Sequence, residues 1–269
     1  MFSSVAVLVR ITAGVVPLAF GLPDGASAQS SGDAPYLAQD AVDVLRLLAP
    51  PPFRDDALAR DLAAVRALQE ERSAERYRQA LDDAAVSVFR FADVLGPAFA
   101  AENVPITARL FDRVNRDIGR FITQTKNCWR RPRPFELDDA IRPADDLLAS
   151  PGMRTGAPPP VAGPGTPCIA ELTASPYSFS YPSGHTAFGA LAAILLAQMV
   201  PEKHVELFER GWEYGASRVV AGVHFPSDVE GGRILASIVA ALLLREERFR
   251  ADLAAAREEL RAALAFGDL

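Results

Sequence analysis

Three short stretches of the chain gather cations, histidines and helix-opening residues. The first is Lys126-Asn127-Cys128-Trp129-Arg130-Arg131-Pro132-Arg133-Pro134. The second is Tyr181-Pro182-Ser183-Gly184-His185-Thr186, and the third joins Ser217-Arg218 to His224 and then Asp228. Lys126, Arg133 and Arg218 are three cations that can converge on one small dianion. At a few Å and an effective dielectric of about 20, each cation–anion pair is worth about 4 kcal/mol before desolvation. Three such pairs can do the charge neutralisation that other phosphoryl-transfer sites give to metals. Ser183 and Gly184 stand before an apolar helix expected to begin near Thr186. Free amides at a helix N-terminus point at an anion, and Gly184 lets it approach closely. Together these residues read as a phosphate cradle.

The histidines supply the remaining chemistry. Phosphoryl transfer to water can run through a covalent intermediate when a nucleophile stands in line behind phosphorus. His224 is the better nucleophile, because Asp228 lies four residues on, in the first turn of a helix opened by Pro226. A carboxylate there accepts the other ring N–H, fixes the tautomer and stabilises the developing imidazolium. His185 is then the general acid that protonates the leaving oxygen. Neighbouring cations lower the pKa of both histidines, while Asp228 raises that of His224.

Blander readings compete at several positions. Adjacent arginines such as Arg130 and Arg131 are expected on a solvated face. Ser183 invites comparison with a serine nucleophile, but it has no Gly-x-Ser-x-Gly elbow around it. His185, His224 and Asp228 have metal-ligand chemistry, yet three nearby cations would repel a divalent ion, so no metal and no cofactor are expected. His204, at a polar helix start, is expected at the surface.

These clusters need helices to hold them. Leu58, Leu62, Val65 and Leu68 recur at helical spacing behind Asp55 and Asp56, which can cap the start. Tyr77, Leu81, Ala84, Val88 and Phe91 repeat the period, as do Ile106, Leu110, Val114 and Ile118 in a helix running toward Lys126. Pro132 and Pro134 stop it. Residues 142–167 are rich in Pro and Gly and read as a long loop. Helical character resumes over Thr186–Val200, Lys203–Tyr214, Val229–Leu244 and Glu246–Leu264, the last an amphipathic surface or partner helix. Nothing alternates with a strand period, so the expected fold is a single all-α helical bundle over residues 29–269.

A net charge of −6 argues against a nucleic-acid partner. Residues 1–28 have the layout of an export signal: Arg10, an apolar Ile11–Leu22 and Ala26-Ser27-Ala28 as a small-x-small cleavage site. No later segment is long and apolar enough for a span; Thr186–Val200 includes Gly189 and Gln198 and suits a core helix. The expectation is an exported protein with no membrane segment in its mature form. Cys128 and Cys168 are the only cysteines. In an exported protein such a pair suggests a disulfide, with two free thiols as the alternative.

Read together, the clusters are Lys-x6-Arg-Pro, Pro-Ser-Gly-His and Ser-Arg-x5-His-x3-Asp. This tripartite pattern resembles that of the type 2 phosphatidic acid phosphatase superfamily, which includes the vanadium haloperoxidases. Within it, Ser180–Thr186, Arg210–Asp228, the charged C-terminal helix and Leu47–Pro52 resemble the bacterial class A non-specific acid phosphatases. The resemblance implies an all-α fold and hydrolysis of small phosphate monoesters, with His224 as nucleophile and His185 as acid. It also implies phosphate binding by Lys126, Arg133, Ser183, Gly184 and Arg218, periplasmic location, homo-oligomers and inhibition by vanadate. Cys168 sits where such phosphatases often carry a cysteine, and a bridge to Cys128 would tie the long loop to the phosphate-binding segment.

The cradle by itself would also serve a vanadium-dependent haloperoxidase, with vanadate bonded to His224. The size, the signal segment and the flanking sequences favour the phosphatase. A lipid phosphate phosphatase would need several membrane spans, and pure phosphate binding would need neither histidine nor Asp228.

Overall fold

The computed structural model describes residues 34–144 and 179–266. The export-signal segment, the greater part of the Pro/Gly-rich stretch and Cys168 lie outside the described residues. Every regular element among the described residues is helical. A short α1 (Val44–Leu47) leads to α2 (Asp56–Glu71), where the Asp55 side chain accepts the Leu58 amide at 3.0 Å. This is the expected N-cap. Ser73 opens α3 (Ala74–Asp82) in the same way.

α3 stops at Asp82 although the apolar period runs on through Ala84, Val88 and Phe91. The reason is Asp83, whose fully buried carboxylate turns inward to bind Arg210 and Ser217. The chain resumes as a 3₁₀ turn (Val88–Phe91) and α4 (Ala92–Leu95).

The long α5 (Pro105–Trp129) buries Leu110, Phe111, Val114, Ile118 and Phe121, one stripe at spacings of three and four. Arg130 ends it in the left-handed region (φ 45°, ψ 43°), and Pro132 follows. A four-residue α6 (Pro134–Leu137) comes next.

The centre of the molecule is α7 (Gly184–Met199). It buries Ala187, Phe188, Leu191, Ala192, Leu195 and Leu196, and an all-round apolar helix belongs in a core. Against it pack α8 (His204–Val220) and α9 (Pro226–Leu243). Small residues allow the close approach: a Cβ on Gly211 would lie 2.7 Å from that of Ala193.

The last helix, α10 (Glu247–Ala263), packs on α5 and α7 and buries Phe249, Leu253, Ala256 and Leu260. Its Glu259 carboxylate accepts the amides of Ile106 and Thr107, each at 2.8 Å, placing an acid on the N-terminus of α5. The charged C-terminal helix is therefore part of this core and not a segment reserved for a partner. From Pro35 onward the described residues form one compact unit.

Candidate active site

The three clusters meet where the end of α5, the start of α7, the end of α8 and the start of α9 come together. Ser183 is the N-cap of α7, so the helix opens at Gly184, two residues earlier than the apolar run suggested. The Ser183 side chain accepts the Thr186 amide at 3.3 Å, and its own amide donates to the Asp228 carbonyl at 2.9 Å. That backbone bond joins the second cluster to the third.

His224 lies just before α9 and is 2% exposed. Its Nδ1 faces Asp228 Oδ2 at 3.2 Å, and its Nε2 faces Arg133 Nη1 at 3.0 Å. Asp228 sits in the first turn of α9 and reaches back across the helix start, where Oδ2 also accepts the Phe225 amide at 2.9 Å and the Ser180 hydroxyl at 2.5 Å. Arg133 Nη1 donates to the Val223 carbonyl at 2.7 Å. Lys126 Nζ donates to the Phe179 carbonyl, which Arg133 Nη2 approaches at 3.4 Å. First and third clusters thus share the walls of one site.

Arg218, at the end of α8, is 3% exposed. Its Nε and Nη1 are buried with no hydrogen-bond partner among the described residues. A buried guanidinium with unmet donors is costly unless an anion completes it. Its neighbour Ser217 donates to Asp83 at 2.6 Å and faces away from this role. His185, in the first turn of α7, is partly exposed, and its Nε2 stands 2.9 Å from the Ala84 carbonyl.

The electrostatics are those of a cation-lined site. Burial, then Arg133 and Arg218, hold the Lys126 ammonium well below the usual lysine range. Burial pushes Arg133 and Arg218 down to about 10. Burial, then Arg218, pushes His185 down to about 3. His224 is also held well below the usual histidine range, by burial and then Arg133, with Asp228 opposing. Burial alone would raise Asp228, but Arg131, then His224 and Ser180, pull it below the usual carboxylate range. The shifts of Lys126, Arg133, Arg218 and both histidines disfavour positive charge in the site, and a bound dianion would oppose each of them.

One expectation is overturned. Arg130 and Arg131 are not on a solvated face: they are 4% and 1% exposed. Arg131 Nη1 donates to Asp228 Oδ1 at 2.6 Å, and Nη2 to Asp61 Oδ2 at 2.9 Å. The left-handed turn at Arg130 carries both arginines away from solvent. Asp61, Ser180 and Asp83 also went unread as site neighbours; only the local hook made by Pro132 and Pro134 hinted at an inward path. His204 is exposed, as expected. Cys128 is buried and disulfide-bonded. Among the described residues no group of His, Cys, Asp and Glu is arranged to hold a metal.

An all-α fold that converges two histidines, an aspartate and three cations defines the PAP2 class, and the PAP2 superfamily model matches residues 118–250. The non-specific acid phosphatase of Salmonella typhimurium (strain LT2) is 33% identical over 230 residues, 82% of each chain. The acid phosphatase of Zymomonas mobilis subsp. mobilis is 32% identical over 266 residues, 94% of this chain and 88% of its own. The non-specific acid phosphatase of Providencia stuartii is 30% identical over 248 residues, 88% and 89% of the two chains. The chain belongs to the PAP2 superfamily, among the bacterial class A non-specific acid phosphatases.

Proposed function

We propose that this protein hydrolyses a broad range of phosphate monoesters through a phosphohistidine on His224, without a metal. By family the chain is a phosphoric monoester hydrolase. The observation that carries the mechanism is the pair of contacts on the His224 ring. Arginine only donates, so Nε2, 3.0 Å from Arg133, presents a lone pair. Nδ1 then carries the proton and donates it to Asp228 at 3.2 Å. A neutral imidazole whose Nε2 lone pair faces the cations becomes the nucleophile when a bound phosphoryl group takes the place of the Arg133 N–H on it.

In the first step His224 Nε2 forms a bond to phosphorus as the ester P–O bond breaks. The leaving oxygen takes a proton from His185. The Ala84 carbonyl only accepts, so His185 keeps a proton on Nε2; with the phosphate dianion bound it takes up a second proton on Nδ1 and transfers that one. Lys126, Arg133 and Arg218, with the first amides of α7 around Ser183 and Gly184, hold the equatorial oxygens. In the second step water attacks phosphorus, gives its proton to His185, and the P–N bond breaks to release phosphate. Asp228 offsets the imidazolium charge between the two steps.

Residues 1–28 are proposed as a cleaved export signal, residues 29–269 as the phosphatase domain, and the mature protein as periplasmic. No helix among the described residues is long and apolar enough to cross a membrane. A Cys128–Cys168 bridge is proposed on the disulfide-bonded state of Cys128. Homo-oligomers are proposed as well, and exposed Val205, Phe208, Trp212 and Ile234 are the apolar surface that would support them. Vanadate is proposed to inhibit by occupying the same cradle. Relatives named acid phosphatases favour this reading over a haloperoxidase.

The test is turnover of p-nitrophenyl phosphate by residues 29–269 with excess EDTA, beside halide oxidation with vanadate and peroxide. EDTA-resistant hydrolysis without halide oxidation supports the proposal. Hydrolysis lost to EDTA, or halide oxidation in its place, contradicts it.

A further inference from the structure

Arg131 lies among the six unspecified positions of the Lys-x6-Arg-Pro motif, yet its side chain is almost fully enclosed. Its guanidinium lies over the Phe225 ring, with Cζ 3.9 Å from the centroid. One edge reaches Asp228 Oδ1 at 2.6 Å and Ser227 Oγ at 2.7 Å; the other reaches Asp61 Oδ2 at 2.9 Å. Asp61, on α2, is itself held by the hydroxyl of Ser227, and its Oδ1 accepts the Ser227 amide at 3.3 Å. The Arg131 carbonyl accepts the Ser180 amide at 2.8 Å, and the Ser180 hydroxyl donates to Asp228. Arg131 therefore places Asp228 twice, by its side chain and through Ser180.

The division of labour on Asp228 is sharp. Oδ2 takes His224, the Phe225 amide and Ser180, while Oδ1 takes Arg131. We infer that Arg131, clamped by Asp61, is a positioning residue that locks Asp228 in the rotamer and ionised state His224 needs. The inference rests on the phosphohistidine reading above. Charge counting supports it. Arg131 with Asp61 and Asp228 carries one net negative charge at rest. A phosphorylated, Nδ1-protonated His224 ring is positive, so the network becomes neutral when the intermediate forms. Without Asp61, Arg131 would spend the charge of Asp228 before the nucleophile could use it.

Two substitutions then act in opposite directions. The charged and titratable groups around the His224–Asp228 pair are Lys126 from α5, Arg131 and Arg133 after it, and Glu136 from α6. Asp61 from α2, Tyr181 and His185 at the head of α7, Arg218 from α8 and Glu230 on α9 complete the set among the described residues. Protonating the pair disables the nucleophile and gives the acid limb of kcat/KM. Removing the Arg131 cation makes protonation easier and moves that limb up by at least about one pH unit. Removing the Asp61 anion makes it harder and moves the limb down.

The experiment follows kcat and kcat/KM for p-nitrophenyl phosphate against pH in wild type, Arg131→Met, Arg131→Lys and Asp61→Asn. Arg131→Met is expected to raise the acid limb and to lower kcat at least tenfold with a smaller change in KM. Arg131→Lys should restore the limb to the wild-type position, and Asp61→Asn should lower it. A loosened fold would reduce kcat in both charge-removing variants without moving the limb oppositely. Limbs that stay fixed, or move together, overturn the inference. If Arg131→Met does not fold, Asp61→Asn decides: a limb at or above that of wild type overturns it. An active His224→Ala control would overturn the phosphohistidine reading as well, whereas unmoved limbs beside an inactive control overturn only the role of Arg131.

Discussion

The Ser183 amide donates to the Asp228 carbonyl at 2.9 Å, so the head of α7 and the turn that carries His224 are one hydrogen-bonded piece. The two segments can approach because α9 carries Gly232 at the crossing. A Cβ there would fall 2.7 Å from the Ser183 carbonyl oxygen and 3.0 Å from the Thr186 Cβ. The nearest clash is with backbone, which cannot swing aside.

Gly232→Ala should therefore push α7 away from α9 and disturb the proposed cradle. A cost of about 1–3 kcal/mol in unfolding free energy is expected, as for other overpacked cores. The catalytic loss should be at least tenfold in kcat/KM, since misplacement by a fraction of an ångström matters to positioning. Gly119→Ala on α5 is the control, because no atom lies within 4 Å of its added Cβ. It should stabilise by about 0.5–1 kcal/mol and leave turnover unchanged. Urea titration and steady-state kinetics on both variants check this.

Asp83 makes a different prediction. Its buried carboxylate holds Arg210, accepts the Ser217 hydroxyl at 2.6 Å and takes Arg90 Nε at 3.2 Å. Asp83→Ala would leave the Arg210 guanidinium with Asp93, which is half exposed on the other side. Breaking such a buried pair costs about 3–5 kcal/mol, measured as the shift in denaturant midpoint at constant slope.

Stability should also depend on pH in a defined direction. The folded-state pKa of His185 is pushed down to about 3 from an ordinary 6.5 by burial and then Arg218. Between those values the unfolded chain binds more protons than the folded one, so the unliganded protein is stabilised as pH rises. His185 therefore adds stability that is complete above pH 6.5 and is lost as pH falls toward 3. His224 acts in the same direction. Thermal melts from pH 7 to 4 should show a falling midpoint, a shallower fall in His185→Gln, and protection by inorganic phosphate. A midpoint that rises on acidification would contradict the picture of two histidines held neutral among cations.

How much of this was legible beforehand follows from where each partner comes from. Lys126, Arg133, Ser183, Gly184, His185, Arg218, His224 and Asp228 could be picked out as one candidate site because an oxyanion site would call for those residue types at helix ends. The helices themselves announced their apolar stripes, and α7 its apolar length. Arg131 could not be read, because its partners Asp61 and Asp228 lie 70 and 97 residues away and nothing local distinguishes it from a surface arginine. Asp83 was hidden for a similar reason: the apolar period passes straight through it, while the contact that breaks the helix comes from Arg210, 127 residues on. Long-range charge pairing leaves no periodic trace.

The most direct test of the central claim is to trap the intermediate. The enzyme is mixed with a phosphomonoester labelled on phosphorus, quenched in alkali within milliseconds, digested and analysed by mass spectrometry. A label stable to alkali and lost in acid, carried by the peptide containing His224 and absent from His224→Ala, is the predicted result. A label on Ser183, or steady turnover by His224→Ala, would contradict it.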